Sequence, residues 1–198
     1  MKKRIIYSFA SAFLSVVTFS FVLTSCSKES IEVNADNPIL NAEKSGAPAP
    51  GDQSIAEIAI NSGFTELVSA LSYVDAELDA GLVNLFLNGT DQYTVFAPTN
   101  EAFLNLYAAL GVDSIDDLSP ELVRDVLLYH VVEGRRAANS VVPRKNSRTI
   151  TPLLGVNFTV NSQAQITAVG NTANIVTANI SASNGIIHVI DAVILPIN

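Results

Sequence analysis

From residue 52 onward, apolar positions recur first at helical spacing and later at strand spacing. Ser54-Ile55-Ala56-Glu57 has a capping-box pattern, Ser at N-cap and Glu three residues on, and opens a short helix. Phe64, Leu67, Val68 and Leu71 fall at i, i+3, i+4 and i+7, one apolar helical face. Leu78, Leu82, Leu85 and Phe86 predict a further face, closed by Asn88-Gly89. Residues 93–97 are rich in β-formers and stop at Pro98, which predicts a strand. Phe103, Leu106, Tyr107 and Leu110 return to helical spacing, with Gly111 where a C-terminal glycine belongs. Ser119-Pro120 reads as an N-cap followed by proline at the first helical position. The helix it starts carries Val123, Val126, Leu127 and His130 on one face.

Beyond Val131 the period changes. Val156, Phe158 and Val160 alternate with polar residues, as a half-buried strand does, and Ile166 and Ala168 do so more weakly. Residues 174–180 are another strand candidate, and Asn184-Gly185 is a hairpin turn signal. The final strand, over 186–195, is apolar on both faces: Ile187, Val189, Val193 and Leu195 on one, Ile186, Ile190 and Ile194 on the other. A strand covered on both sides is a central one. Helices first and strands last, with one strand among the helices, indicate an α+β class.

The first 51 residues follow neither period. Lys2, Lys3 and Arg4 precede a run over 5–23 without a charge, the layout of a secretory signal. The run is also long enough to span a bilayer, where about 20 apolar residues suffice. Its end decides the reading. Leu23-Thr24-Ser25-Cys26 resembles a bacterial lipobox, in which the Cys is lipidated and becomes the new N-terminus, and Cys26 is the 1 cysteine of the chain. The expected organisation is a signal peptide over 1–25, the lipidated Cys26 with a flexible linker to residue 51, and one folded domain over 52–198. The linker holds Pro38, Pro48 and Pro50 and shows no lasting period. A random coil of its length reaches about 25–30 Å.

Composition narrows the function. A formal net charge of −8 speaks against nucleic acid as a partner. Removing residues 1–25 takes away three cations and no anion, which brings the charge to −11. With 1 Cys and 2 His, neither a disulfide framework nor a Cys- or His-rich metal site is available. No metal and no cofactor is expected.

Three segments carry a family resemblance. Thr94-Val95-Phe96-Ala97-Pro98-Thr99-Asn100-Glu101-Ala102-Phe103 resembles the first signature block of the fasciclin-like domain. Leu127-Leu128-Tyr129-His130-Val131-Val132 is similar to its central Tyr-His block. Residues 184–196, Asn184-Gly185-Ile186-Ile187-His188-Val189-Ile190-Asp191-Ala192-Val193-Ile194-Leu195-Pro196, resemble its closing block. The resemblance spans about 52–198. It implies a helical layer packed on a β-wedge of two sheets, and a role in adhesion or matrix interaction with no general enzymatic activity. It also implies a second reading, a carrier of an apolar small molecule such as a carotenoid, because some relatives bind such molecules.

Tyr129 and His130, and His188 and Asp191, are the motif residues whose roles are open between structure and adhesion. His130 on an apolar helix face reads as a core histidine held by backbone hydrogen bonds, and in relatives the Tyr-His block is linked to receptor adhesion. His188 and Asp191 stand three apart on a strand, so they point to opposite faces and cannot readily grip one ion. No Gly-x-Ser-x-Gly elbow supports a hydrolytic triad. Arg135, Arg136, Arg144, Lys145 and Arg148 form a basic stretch, read either as a solvated loop or as a patch for acidic glycans or lipid headgroups. Arg-Gly-Asp is absent.

The expectation is a lipoprotein of the bacterial envelope, held in the outer membrane and meeting a protein or glycan partner at the cell surface. Ser27 after the Cys is compatible with outer-membrane sorting. Cys26→Ala is expected to move the chain from membrane to soluble fractions on cell fractionation, and unchanged attachment would contradict lipidation.

Overall fold

A computed structural model describes residues 48–197. Cys26, the expected signal peptide and the expected linker up to residue 47 lie outside the described residues.

The helical layer comes first. Helix α1 (Ile55–Asn61) opens on the capping box. The Glu57 N–H donates to Ser54 Oγ at 3.3 Å, and the Ser54 N–H donates to Glu57 Oε2 at 2.7 Å. Helix α2 (Thr65–Leu78) buries Leu67, Ala70, Leu71 and Val74. The single face expected over 78–86 is instead divided between α2 and α3 (Leu82–Asn88). Asp79 and Gly81 take left-handed conformations, with φ of 50° and 68°. The Asp75 carboxylate accepts from the Leu82 and Val83 N–H groups at 2.7 and 2.8 Å and caps the new helix. Strand β1 (Tyr93–Pro98) follows, then α4 (Asn100–Leu110), a 3-10 turn (Ile115–Asp117) and α5 (Pro120–Tyr129).

The strand half comprises β2 (Val131–Glu133), the short α6 (Ala138–Val141), β3 (Arg148–Ile150), β4 (Phe158–Val160), β5 (Gln165–Thr167), β6 (Thr172–Ala182) and β7 (Gly185–Ile190). The sheet order is β2-β1-β7-β6-β5-β4-β3. β1 and β7 run parallel and the other pairs are antiparallel. The start of β6 pairs with β5, and the rest pairs with β7 through two register shifts. Such irregularities bend a strand, and the bend folds the sheet into a wedge. The fold is α+β, a helical layer on that wedge.

Two cores result. Val95, Ala97 and Ile187 face the helices, together with Leu67, Val74, Phe103 and Leu127. Phe96 and Ile190 face the inside of the wedge, against Ile150, Phe158, Val160, Ile166 and Ile175. All six residues of β1 and of β7 are buried. Gly185 permits their close start, because a Cβ there would lie 2.1 Å from the Tyr93 carbonyl oxygen. The strand expected to reach residue 195 ends at Ile190, where the Asp191 carboxylate turns back to accept from the N–H and the Nδ2 of Asn174 at 2.6 and 2.9 Å. The alternation outlasts the strand: Val193 joins the helical core and Ile194 the wedge core.

Inside the wedge, Phe158 stands edge-on to both Phe96 and Tyr129, with ring centroids 5.3 and 5.6 Å away. Such contacts add to the area each ring buries. Phe158→Ala is expected to cost about 3–5 kcal/mol, read as a lower denaturant midpoint. A loss under 1 kcal/mol (about a fivefold change in the folding equilibrium) would contradict this packing.

Candidate functional site

His130 closes α5 and is 3% exposed. Its Nδ1 lies 2.7 Å from the Val126 carbonyl, and its Nε2 accepts the Ile194 N–H at 3.1 Å. A nitrogen that accepts cannot also carry the proton, so the ring is neutral and protonated on Nδ1. His188, on β7, is 0% exposed. Its Nδ1 accepts the Asn179 N–H at 3.3 Å, and its Nε2 faces the Arg136 carbonyl at 2.9 Å. That ring is neutral with the opposite tautomer. Burial disfavours the charged form and pushes both histidines down to about 4.

Each ring therefore ties two segments together. His130 fastens the C-terminal segment to α5, and His188 fastens the loop after β2 to the irregular part of β6. Asn179 sits in that irregularity at φ 65°, and its Oδ1 accepts the Ala138 N–H at 2.7 Å, capping α6. Phe96 lies between the two histidines: its N–H donates to the His130 carbonyl at 2.9 Å, and its ring centroid is 5.6 Å from that of His188.

Tyr129 is fully buried in the wedge, its hydroxyl donating to the Asn157 carbonyl at 3.3 Å, and burial raises its pKa. Tyr129 thus points into the wedge core and His130 lies beneath the helical layer, both side chains buried. Asp191 is exposed and engaged with Asn174, while His188 is buried. Among the described residues no group of three or more His, Cys, Asp or Glu could hold a metal ion.

The basic stretch is not one surface. The Arg135 guanidinium turns inward: Nη1 donates to the carbonyls of Ala182 and Gly185 at 2.8 and 2.5 Å. Its Nη2 donates to the carbonyls of Pro48 and Ala49 at 3.1 and 3.2 Å and to Ser181 Oγ at 2.5 Å. Together with the Gly51 N–H bonded to the Ala182 carbonyl, this fixes the entering chain over 48–51 against the turn between β6 and β7. Arg135 is thus a correction to the expected patch: five neutral acceptors hold it as a structural clamp. Arg136 Nε donates to the Glu133 carbonyl at 3.2 Å, and Arg148 donates to the carbonyls of Asn139 and Ser140. Arg144 and Lys145 are exposed.

A second surface feature lies between the helices and the C-terminal segment. A pocket of about 80 Å³ is walled by Phe103, Leu106, Leu122, Val126, Leu195 and Ile197 among other apolar side chains, with His130 its one ionisable group. Leu110 and Ile197 at its rim are 50% and 53% exposed.

Two asparagines bond main-chain groups far from them in sequence. Asn184 was visible as a turn residue, yet its buried side chain accepts the Ile55 N–H at 2.9 Å and donates to the Phe86 carbonyl at 2.9 Å. Asn179 left no signal, since nothing local to it specifies a bulge.

The histidines generate two predictions. Their folded-state pKa lies below the unfolded value of 6.5, so the unfolded chain binds more protons between about 4 and 6.5. Stability is therefore full above 6.5 and falls as pH drops toward 4, by on the order of 3 kcal/mol per histidine. Denaturation across that window should show a shallower slope for His188→Gln than for the unaltered chain; equal slopes would contradict it. His130→Ala should mainly lower the melting temperature, and weaker partner binding at unchanged melting would contradict that.

The family model described as the fasciclin domain matches residues 62–196. The chain is 32% identical over 191 residues to "Protein sll1483" of Synechocystis sp., covering 93% of this chain and 94% of that one. It is 36% identical over 138 residues to "Immunogenic protein MPB70" of Mycobacterium bovis, which covers 69% of this chain and 65% of the relative. "Cell surface glycolipoprotein MPB83" of Mycobacterium bovis is likewise 36% identical, with 57% of its length covered. A solved FAS1 domain pair from the insect cell adhesion molecule fasciclin I is similar at 17% identity and a TM-score of 0.46, over 66% of this chain and 45% of that one.

Proposed function

The chain belongs to the fasciclin family, and from that premise we propose that it is a lipid-anchored envelope protein whose single domain engages a protein or glycan partner by surface complementarity, without covalent chemistry. The carrying observation is that both histidines are buried with both ring nitrogens bonded. Groups committed in this way are unavailable for proton transfer at a surface. What the domain offers outward is shape, apolar rim and charge.

Anchoring is supported by the charge-free run over 5–23 and by Cys26 at its end. A relative's name, "Cell surface glycolipoprotein", points the same way. Outer-membrane placement rests on Ser27.

A second reading has its own observation. The apolar pocket beneath α4 and α5 suits a nonpolar ligand, because burying apolar surface is favourable and its walls offer few polar groups to desolvate. In that reading the protein is a carrier of an apolar small molecule such as a carotenoid.

Native mass spectrometry of the chain extracted from its own membranes tests both. A mass for a chain beginning at lipidated Cys26 with nothing bound supports the adhesive reading, and binding on a glycan and matrix-protein array should follow. The same chain with an apolar molecule attached puts the carrier reading first. A chain still beginning at Met1 overturns the lipid anchor.

A further inference from the structure

The described chain is electrically divided. Residues 52–133 contain fourteen carboxylates and one cation, Arg124, whereas residues 134–190 contain five cations and no carboxylate. The first stretch supplies helices α1–α5, and the second supplies α6 and strands β3–β7. The five cations lie within 135–148, between β2 and β3, and Arg144 and Lys145 among them are exposed, so this acidic protein carries a local basic loop beside the wedge.

The entering chain lies beside that loop. Arg135 holds the Pro48 and Ala49 carbonyls and bonds Ser181. Two residues before Ser181, Asn179 caps α6 at Ala138. Arg148 in turn bonds the carbonyls of Asn139 and Ser140. Hydrogen bonds joined by short stretches of chain thus link the point of chain entry to Arg148, with exposed Arg144 and Lys145 on the loop between α6 and β3.

We propose that the basic loop beside the wedge docks on the anionic lipid surface to which Cys26 tethers the chain, turning the acidic helical layer and its apolar pocket outward. This rests on the lipid anchor proposed above. Chain geometry alone lets the 22 residues from Cys26 to Pro48 span at most about 75 Å, so the wedge is held at high effective concentration beside the surface. Charges act there over a Debye length of about 8 Å, so orientation decides the sign. With the wedge down, cations meet anionic headgroups. With the helices down, carboxylates do, and the chain is repelled. A second copy's acidic helical layer is the competing occupant of the wedge, but it must be met by diffusion, whereas the tether keeps the membrane in reach.

The test uses the full lipidated chain in vesicles of phosphatidylcholine, with or without phosphatidylglycerol, and a quencher on a headgroup. An environment-sensitive dye is placed at Ser147→Cys on the basic loop or at Asn105→Cys on α4, both exposed and uncharged positions. Quenching of the Ser147 dye should rise when phosphatidylglycerol is added and fall back in high salt, while the Asn105 dye stays unquenched. Each basic residue at an anionic surface favours contact by about fivefold. The Arg144→Gln, Lys145→Gln double variant should therefore lower the docked-to-free ratio by about 25-fold. Equal quenching at the two positions would overturn the orientation, as would dye–dye transfer between copies in place of headgroup quenching. A chain that does not float with neutral vesicles would overturn the anchor itself, which separates the two failures.

Discussion

A parallel pair of strands with both faces buried needs cover on each side, and the architecture here follows from that demand. β1 and β7 align side by side from Tyr93 and Gly185 to Pro98 and Ile190. Their alternate residues feed two different cores, so neither the helical layer nor the wedge can be displaced without exposing one face of the pair. The two histidines serve the same constraint. The Asn179 N–H in the irregular part of β6 and the Ile194 N–H beyond β7 have no ladder partner, and a buried N–H left unbonded costs about 1–3 kcal/mol. Imidazole, with one donor and one acceptor, satisfies a carbonyl and an N–H at once, and each ring does so across two segments.

Much of this fold was legible because its determinants are local. The capping box at Ser54, the proline at position 120 and the two-faced apolar pattern of β7 each specify an element from within a few residues. Departures occurred where distant or side-chain contacts compete with local pattern. Asp75 caps α3 and so divides a face that spacing alone would run on. Asp191 turns the chain at a position where apolar alternation continues undisturbed. The irregularity of β6 depends on His188 and Ala138, which bond Asn179 from other parts of the chain.

The site divides along the same line. That His130 sits on an apolar face was visible from spacing, whereas its second bond, to Ile194 N–H, joins positions 64 apart. Arg135 was indistinguishable in sequence from the other cations of its stretch. Only the fold brings the carbonyls of Pro48, Ala49, Ala182 and Gly185 around one guanidinium. A fork of fixed donors suits that task as an ammonium would not. Tyr129, His130 and His188 thus act as architecture, and what the domain presents outward includes the helical layer with its pocket and the exposed Arg144 and Lys145.

That both histidines are neutral internal cross-links can be measured directly by nitrogen-15 NMR of the imidazoles across a pH titration. Two rings with opposite neutral tautomers are expected, His130 protonated on Nδ1 and His188 on Nε2, neither gaining a proton until pH approaches about 4. A ring that titrates near 6.5, or that interconverts between tautomers, would show a histidine in contact with water and would contradict it.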